Sequence, residues 1–205
     1  ITMVANGVVT PGSLPDRPTP KSEWTIGSVA LFRPRKGVEV LIQALSNLRQ
    51  MGEVVRLRAV GPFETVEYEE TIKEMAARLG VADMIDWIGF AQNVNAEFAK
   101  MDVLVLPSLF GEGMPMVILE AMAMGVPVVA SDVEGIPEVL QHAHTGLVVP
   151  AGDAPQLASA LFDLINNKYN WAAMRADAYS LQVKSFSDHS MAAGVARVYN
   201  RILAR

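Results

Sequence analysis

Short runs of apolar, often β-branched residues alternate with helical stretches along nearly the whole chain, and this constrains the fold more than any other feature. TIGSVALF (25–32) precedes GVEVLIQALSNLRQMG (37–52), and VVRLRAVG (54–61) precedes a charged helix over 66–79. The pattern continues through MIDWIGF (84–90), a helix over 94–100, VLVLP (103–107), a helix carrying Glu120, PVVAS (127–131), a short turn over 136–141 and GLVV (146–149). Strands that are apolar at consecutive positions are buried on both faces, which requires a parallel sheet flanked by helices. The reading is an α/β, doubly wound, Rossmann-like domain. Its tail is helical from Asp153 onward and ends in a helix over residues 186–204. No internal repeat is visible.

In such a sheet, ligands bind beyond the carboxyl ends of the strands, where the strand order reverses. The motif positions obey this. Arg33, Arg35 and Lys36 follow the first strand, Gly61 the second, Gly89 and Phe90 the third, and residues 108–112 the fourth.

Glu112 and Glu120 bracket EGMPMVILE, and AMAMGVPVVAS follows directly. This reads as a loop turning into a helix and then a buried strand, with Glu112 at the loop's mouth and Glu120 on the helix. Gly113 and Pro115 make a tight turn that leaves the first N–H groups of the helix unpaired. A helix start carries roughly half a positive elementary charge, so those groups suit a phosphate or sugar oxygen. An ionised carboxylate only accepts hydrogen bonds, so each Glu can hold the hydroxyls of a ribose or pyranose but would repel a phosphate. The apolar positions Met116, Ile118, Leu119, Met122 and Met124 are expected to pack in the core. Arg35 is expected to be a solvated surface residue.

EGMPMVILEAMAMGVPVVAS with VEGIPEVL behind it resembles the signature of the retaining glycosyltransferases of family 4. ANGV (5–8) is similar to that family's linker into its second domain, RKG (35–37) to its phosphate-binding lysine, MDVLVLPS (101–108) to the strand before the glutamate loop, and GLVVPAGD (146–153) to its closing strand. The resemblance implies the C-terminal, donor-binding half of a GT-B enzyme. Residues 1–22 would be an interdomain linker remnant, 23–185 the donor-binding domain and 186–205 a C-terminal helix, with an N-terminal acceptor-binding domain missing from the chain.

It further implies that Glu112 contacts the donor sugar and that Glu120 binds the ribose hydroxyls. The backbone of Gly113, Met114, Pro115, Met116 and Val117 would hold sugar and phosphate, and Phe90 and Ala91 would flank the base. The family reads Gly-Arg-Leu where this chain has Ala30, Leu31 and Phe32. Either Arg33 replaces the customary phosphate arginine, or the diphosphate relies on Lys36 and the helix start. The implied catalytic set is therefore Glu112, Lys36 and Arg33. The implied donor substrate is a nucleoside diphosphate sugar, and the implied reaction is metal-independent transfer with retention. Two other readings stay open: a GT-B epimerase or phosphorylase half, and a non-catalytic nucleotide-sugar binding module.

At 205 residues with 51% hydrophobic and 19% charged residues, the chain suits one well-packed domain. A formal net charge of −5 and no dense Lys/Arg cluster argue against nucleic acid as a partner. The absence of cysteine excludes a disulfide scaffold and a thiolate metal site, and fits a reducing compartment. The longest apolar stretch, 114–130, is broken by Glu120, Gly125 and Pro127 and is shorter than the about 20 residues a spanning helix needs. No signal peptide is visible. The expected location is the cytoplasm, with any contact to the cytoplasmic membrane face made through the missing half. His142 and His144 lack a third ligand nearby, and His189 stands near a helix start, so no metal site is expected.

Overall fold

The computed structural model describes residues 2–204, so Ile1 and Arg205, the outermost positions of the expected linker and terminal helix, lie outside the described residues. Six parallel strands form one sheet in the order β3-β2-β1-β4-β5-β6. They are β1 (Trp24–Val29), β2 (Val55–Val60), β3 (Ile85–Gly89), β4 (Val103–Leu106), β5 (Val128–Ser131) and β6 (Leu147–Val149). The order reverses between β1 and β4, which pair in parallel through Ile26 with Val103 and Gly27 with Leu104. That crevice is where this topology places ligands.

All residues of β4 and β5 are buried, as their unbroken apolar sequences require. Period-two alternation splits them between two cores. Val103, Val105 and Val129 join a cluster with α1 (Val38–Gln50), α2 (Val66–Arg78) and α6 (Ala154–Ile165). Leu104, Leu106, Val128 and Ala130 join a second cluster with α3 (Val94–Phe98), α4 (Met116–Ala123) and α5 (Ile136–Val139). Helix α7 (Trp171–Leu181) supplies Trp171 and Met174 to the first and Ala178 to the second. A π-helical turn, Gln182–Phe186, leads into α8 (Asp188–Leu203), which Ser187 caps by accepting from the N–H of Ser190 at 3.1 Å.

The segment before β1 has no regular structure, yet it is fastened to the helical tail. Val8 pairs with Ser187, Thr10 Oγ1 donates to Gln182 Oε1 at 2.8 Å, and Tyr179 Oη donates to the carbonyl of Pro11 at 2.7 Å. Among the described residues, no helix is long and apolar enough to cross a membrane.

Candidate functional site

The loops at the carboxyl ends of β1 and β4 are stitched together at the reversal of strand order. After β1 the chain runs through a 3-10 turn, Pro34–Lys36, and Gly37 in the left-handed region at φ 65°. A side chain at Gly37 would collide with the carbonyl of Pro107, which ends the β4 segment. Only glycine combines that backbone conformation with so close an approach. The N–H of Leu109 donates to the carbonyl of Arg35 at 2.8 Å and completes the seam.

Glu112 sits on this seam, but not at the loop's mouth where the sequence suggests it. Its side chain is 7% exposed, because Lys36 forms an ion pair with Oε1 and Ser108 Oγ donates to the same oxygen at 2.6 Å. Two donors on one oxygen draw the carboxylate inward and offset the cost of removing it from water. Arg35 is likewise not a solvated residue. Its Nη1 donates to the carbonyl of Gly111 at 2.9 Å and lies 3.7 Å from Glu112 Oε1. Arg33 points the other way, with Nη1 3.4 Å from Glu64 Oε1, and its Nε is buried with no hydrogen-bond partner among the described residues.

Glu120 lies on α4 as expected and is half-buried. Burial raises its pKa, and among the described residues no hydrogen bond or cation acts to lower it. Pro115 occupies the N-cap of α4 without a side-chain cap, and Met114 Sδ accepts from the N–H of Asn6 at 3.3 Å. Ile118, Leu119 and Met122 are fully buried, but Met116 is 39% exposed, against the expectation that it packs in the core. It opens the first turn of α4. Phe90 is 77% exposed just after Gly89, whose φ of 70° turns the chain away from β3. Ala91, Met114 and Val117 pack against one shared apolar cluster.

Glu134, within VEGIPEVL, is a further member of this loop cluster that its residue type does not announce. The N–H of Glu112 donates to Glu134 Oε2 at 3.1 Å. The N–H groups of Gly111 and Glu112 hold this carboxylate below the ordinary value for a glutamate. The only signal available was its place in VEGIPEVL, behind the paired acids. Among the described residues, no group of three or more His, Asp or Glu side chains converges as a metal site.

A basic turn is locked to a buried glutamate at the switch point, and the next helix carries a second glutamate without a partner among the described residues. The model of the glycosyl transferases group 1 family matches residues 13–180. The chain belongs to that family. Among similar proteins, the phosphatidyl-myo-inositol mannosyltransferase of Mycobacterium leprae is 33% identical over 187 residues, 86% of this chain and 47% of that protein. The lipopolysaccharide core biosynthesis mannosyltransferase LpsB of Rhizobium meliloti is 30% identical over 184 residues, 87% of this chain and 52% of that protein. The chain thus spans about half the length of these relatives. Among solved structures, Anabaena Alr3699/HepE in complex with UDP superposes with a TM-score of 0.82 at 24% identity, over 88% of this chain and 49% of that one. The same protein in complex with UDP-glucose gives 0.81 at 25% identity, over 87% and 49%. The group 1 domain here therefore shares the Rossmann-like architecture of GT-B glycosyltransferases.

Proposed function

We propose that this group 1 domain is the donor-binding half of a retaining glycosyltransferase of family 4, which moves a sugar from a nucleoside diphosphate sugar to an acceptor hydroxyl. One observation carries the reading. Lys36 and Glu112, 76 positions apart, meet at the reversal of strand order, beside a helix whose Glu120 has no partner among the described residues. A half-buried carboxylate without a donor suits a ligand that brings hydroxyls, and Glu120 takes the ribose. The backbone of Gly113, Met114, Pro115, Met116 and Val117 takes sugar and phosphate at the uncapped start of α4. Phe90 and Ala91 flank the base.

Lys36, held in place by Glu112, supplies positive charge to the departing diphosphate. Arg33, whose guanidinium turns toward Glu64, adds only its charge to the same turn. Such groups are worth more against the charge that develops on the leaving group than against the bound donor, which is how they accelerate cleavage. Glu112 orders Lys36 and meets the sugar hydroxyls. A covalent glycosyl intermediate needs two carboxylates astride the reacting carbon, and with Glu120 assigned to the ribose the reading favours departure and attack on the same face of the sugar. No metal is assigned a role. Residues 1–22 act as the linker, 23–185 as the donor domain and 186–205 as the terminal helix, and a further domain supplies the acceptor site. The absence of cysteine supports a cytoplasmic setting.

Isothermal calorimetry with UDP, GDP, ADP and their sugars tests this reading. One nucleotide family should give saturable heat that Glu120→Ala abolishes. No heat from any of them at millimolar concentration would end it.

A further inference from the structure

Glu134 stands on the loop between β5 and α5 at φ 32°, in a region of backbone space that L-residues other than Asn and Asp rarely visit. A residue held there has a surrounding structure that fixes it, and here the fixing contacts all lead to the glutamate loop. Its Oε2 accepts from the N–H of Glu112 at 3.1 Å, and the N–H of Gly111 also points to the carboxylate. The following N–H, that of Gly135, donates to the carbonyl of Glu112 at 2.9 Å. A side chain at Gly135 would strike the carbonyl of Gly113, so the two backbones lie in direct contact.

From the opposite side, Arg35 donates to the carbonyls of Gly111 at 2.9 Å and Phe110 at 3.4 Å. The glutamate loop is thus held from both sides, the carbonyls of Phe110 and Gly111 by Arg35 and the N–H and carbonyl of Glu112 by Glu134 and the N–H of Gly135. Gly111, at φ 78°, makes this possible by turning two consecutive N–H groups toward one acceptor.

We propose that Glu134 is a positioning residue that, opposite Arg35, presets the glutamate loop so that Glu112 and the start of α4 meet the donor already ordered. The proposal rests on the donor-binding reading above and names a device for it. A preset loop does not have to be ordered at the expense of binding energy, so losing the clamp shows as weaker binding. Glu134 touches no reacting atom in this scheme.

Amide hydrogen exchange and nucleotide calorimetry on Glu134→Gly, Glu134→Ala and Glu134→Gln test it. Glycine suits the backbone at this position, so Glu134→Gly removes the carboxylate without straining the chain. Exchange at Gly111 and Glu112 should accelerate about tenfold in the Gly and Ala variants, with amides in the sheet unchanged and nucleotide affinity lower by a similar factor. Glu134→Gln, which keeps one neutral acceptor, should fall between them and wild type. Wild-type exchange at both amides, an acceleration spread evenly over the domain, or unchanged affinity despite a loosened loop would each overturn the proposal. A wild-type protein that binds no nucleotide would instead end the donor-binding reading, and the exchange data would still show whether the clamp exists.

Discussion

Lys36 and Glu112 form an ion pair across 76 positions of chain, with side chains only 15% and 7% exposed. This pair joins the basic turn after β1 to the glutamate loop after β4. Removing one member of a buried pair leaves the other without compensation, at a cost of about 3–5 kcal/mol where no other partner is near. Arg35, 3.7 Å from the same oxygen, softens that cost. Lys36→Met and Glu112→Gln should therefore each lower the unfolding free energy by about 2–3 kcal/mol in urea titrations. The double variant should fall short of their sum by about 1 kcal/mol or more. Strict additivity would show that the two residues act independently.

Gly37 makes the same seam possible through its backbone. Gly37→Ala combines an unfavourable left-handed conformation, about 1–2 kcal/mol, with a collision against the carbonyl of Pro107. Gly52 also has a positive φ, 87°, but a side chain there meets open space. Chemical denaturation of Gly37→Ala and Gly52→Ala should show the first to be the more destabilised by at least about 1 kcal/mol, the excess measuring the contact with Pro107. Equal losses would mean that the loops part freely.

The sheet was legible because its signal is local. VLVL and PVVAS are apolar at consecutive positions, and both segments became strands buried on two faces. The loop-to-helix turn between Glu112 and Glu120 was legible for the same reason, and α4 begins at Met116 within it. What failed was direction. Nothing near Glu112 in the sequence says that Lys36 and Ser108 pull it below the surface, and nothing in Arg33, Pro34, Arg35 and Lys36 says which side chain turns toward the glutamate loop. A 3-10 turn sends successive residues to different sides, so Arg33 went to Glu64 and Arg35 to Gly111. Met116 was misread because apolar spacing marks a helix's inner face only once the helix has begun to pack. Glu134 acts through hydrogen bonds to backbone, which leave no trace in residue type.

Arg175 fastens the segment before β1 to the body of the domain. It is 5% exposed, stacks over Trp171 at 4.7 Å, and donates to the carbonyls of Gly125 at 2.7 Å and Pro15 at 2.6 Å. Lysine keeps the charge but lacks the planar fork that serves both carbonyls and the ring together. Arg175→Lys should cost about 2–4 kcal/mol in urea unfolding, since hydrogen bonds to a charged group contribute about 1.5–3 kcal/mol each. Under native conditions it should also expose the bond after Lys21 to trypsin, because a segment that opens more often is cut sooner. Wild-type resistance to trypsin in this variant would place the anchor elsewhere.

Glu120 gives the site a pH dependence whose sign can be worked out. Burial raises its pKa in the folded protein above the ordinary 4.5, so over the interval between the two values the folded state binds more protons than the unfolded chain. Stability from this group is full below about 4.5, declines as pH rises through the raised value, and is constant above it. Glu120→Gln removes the titration, so it should equal or exceed wild type in stability at neutral pH and lose that advantage in acid. A nucleotide that donates ribose hydroxyls to this carboxylate favours its charged form, and binding must then release a proton within the same interval. Affinity should therefore weaken as pH falls through the raised pKa, and calorimetric heats in buffers of different ionisation enthalpy should reveal the proton. In Glu120→Gln both effects should vanish together with most of the binding. Wild-type binding that ignores pH over this range would mean that the ribose lies elsewhere, even if the nucleotide still binds.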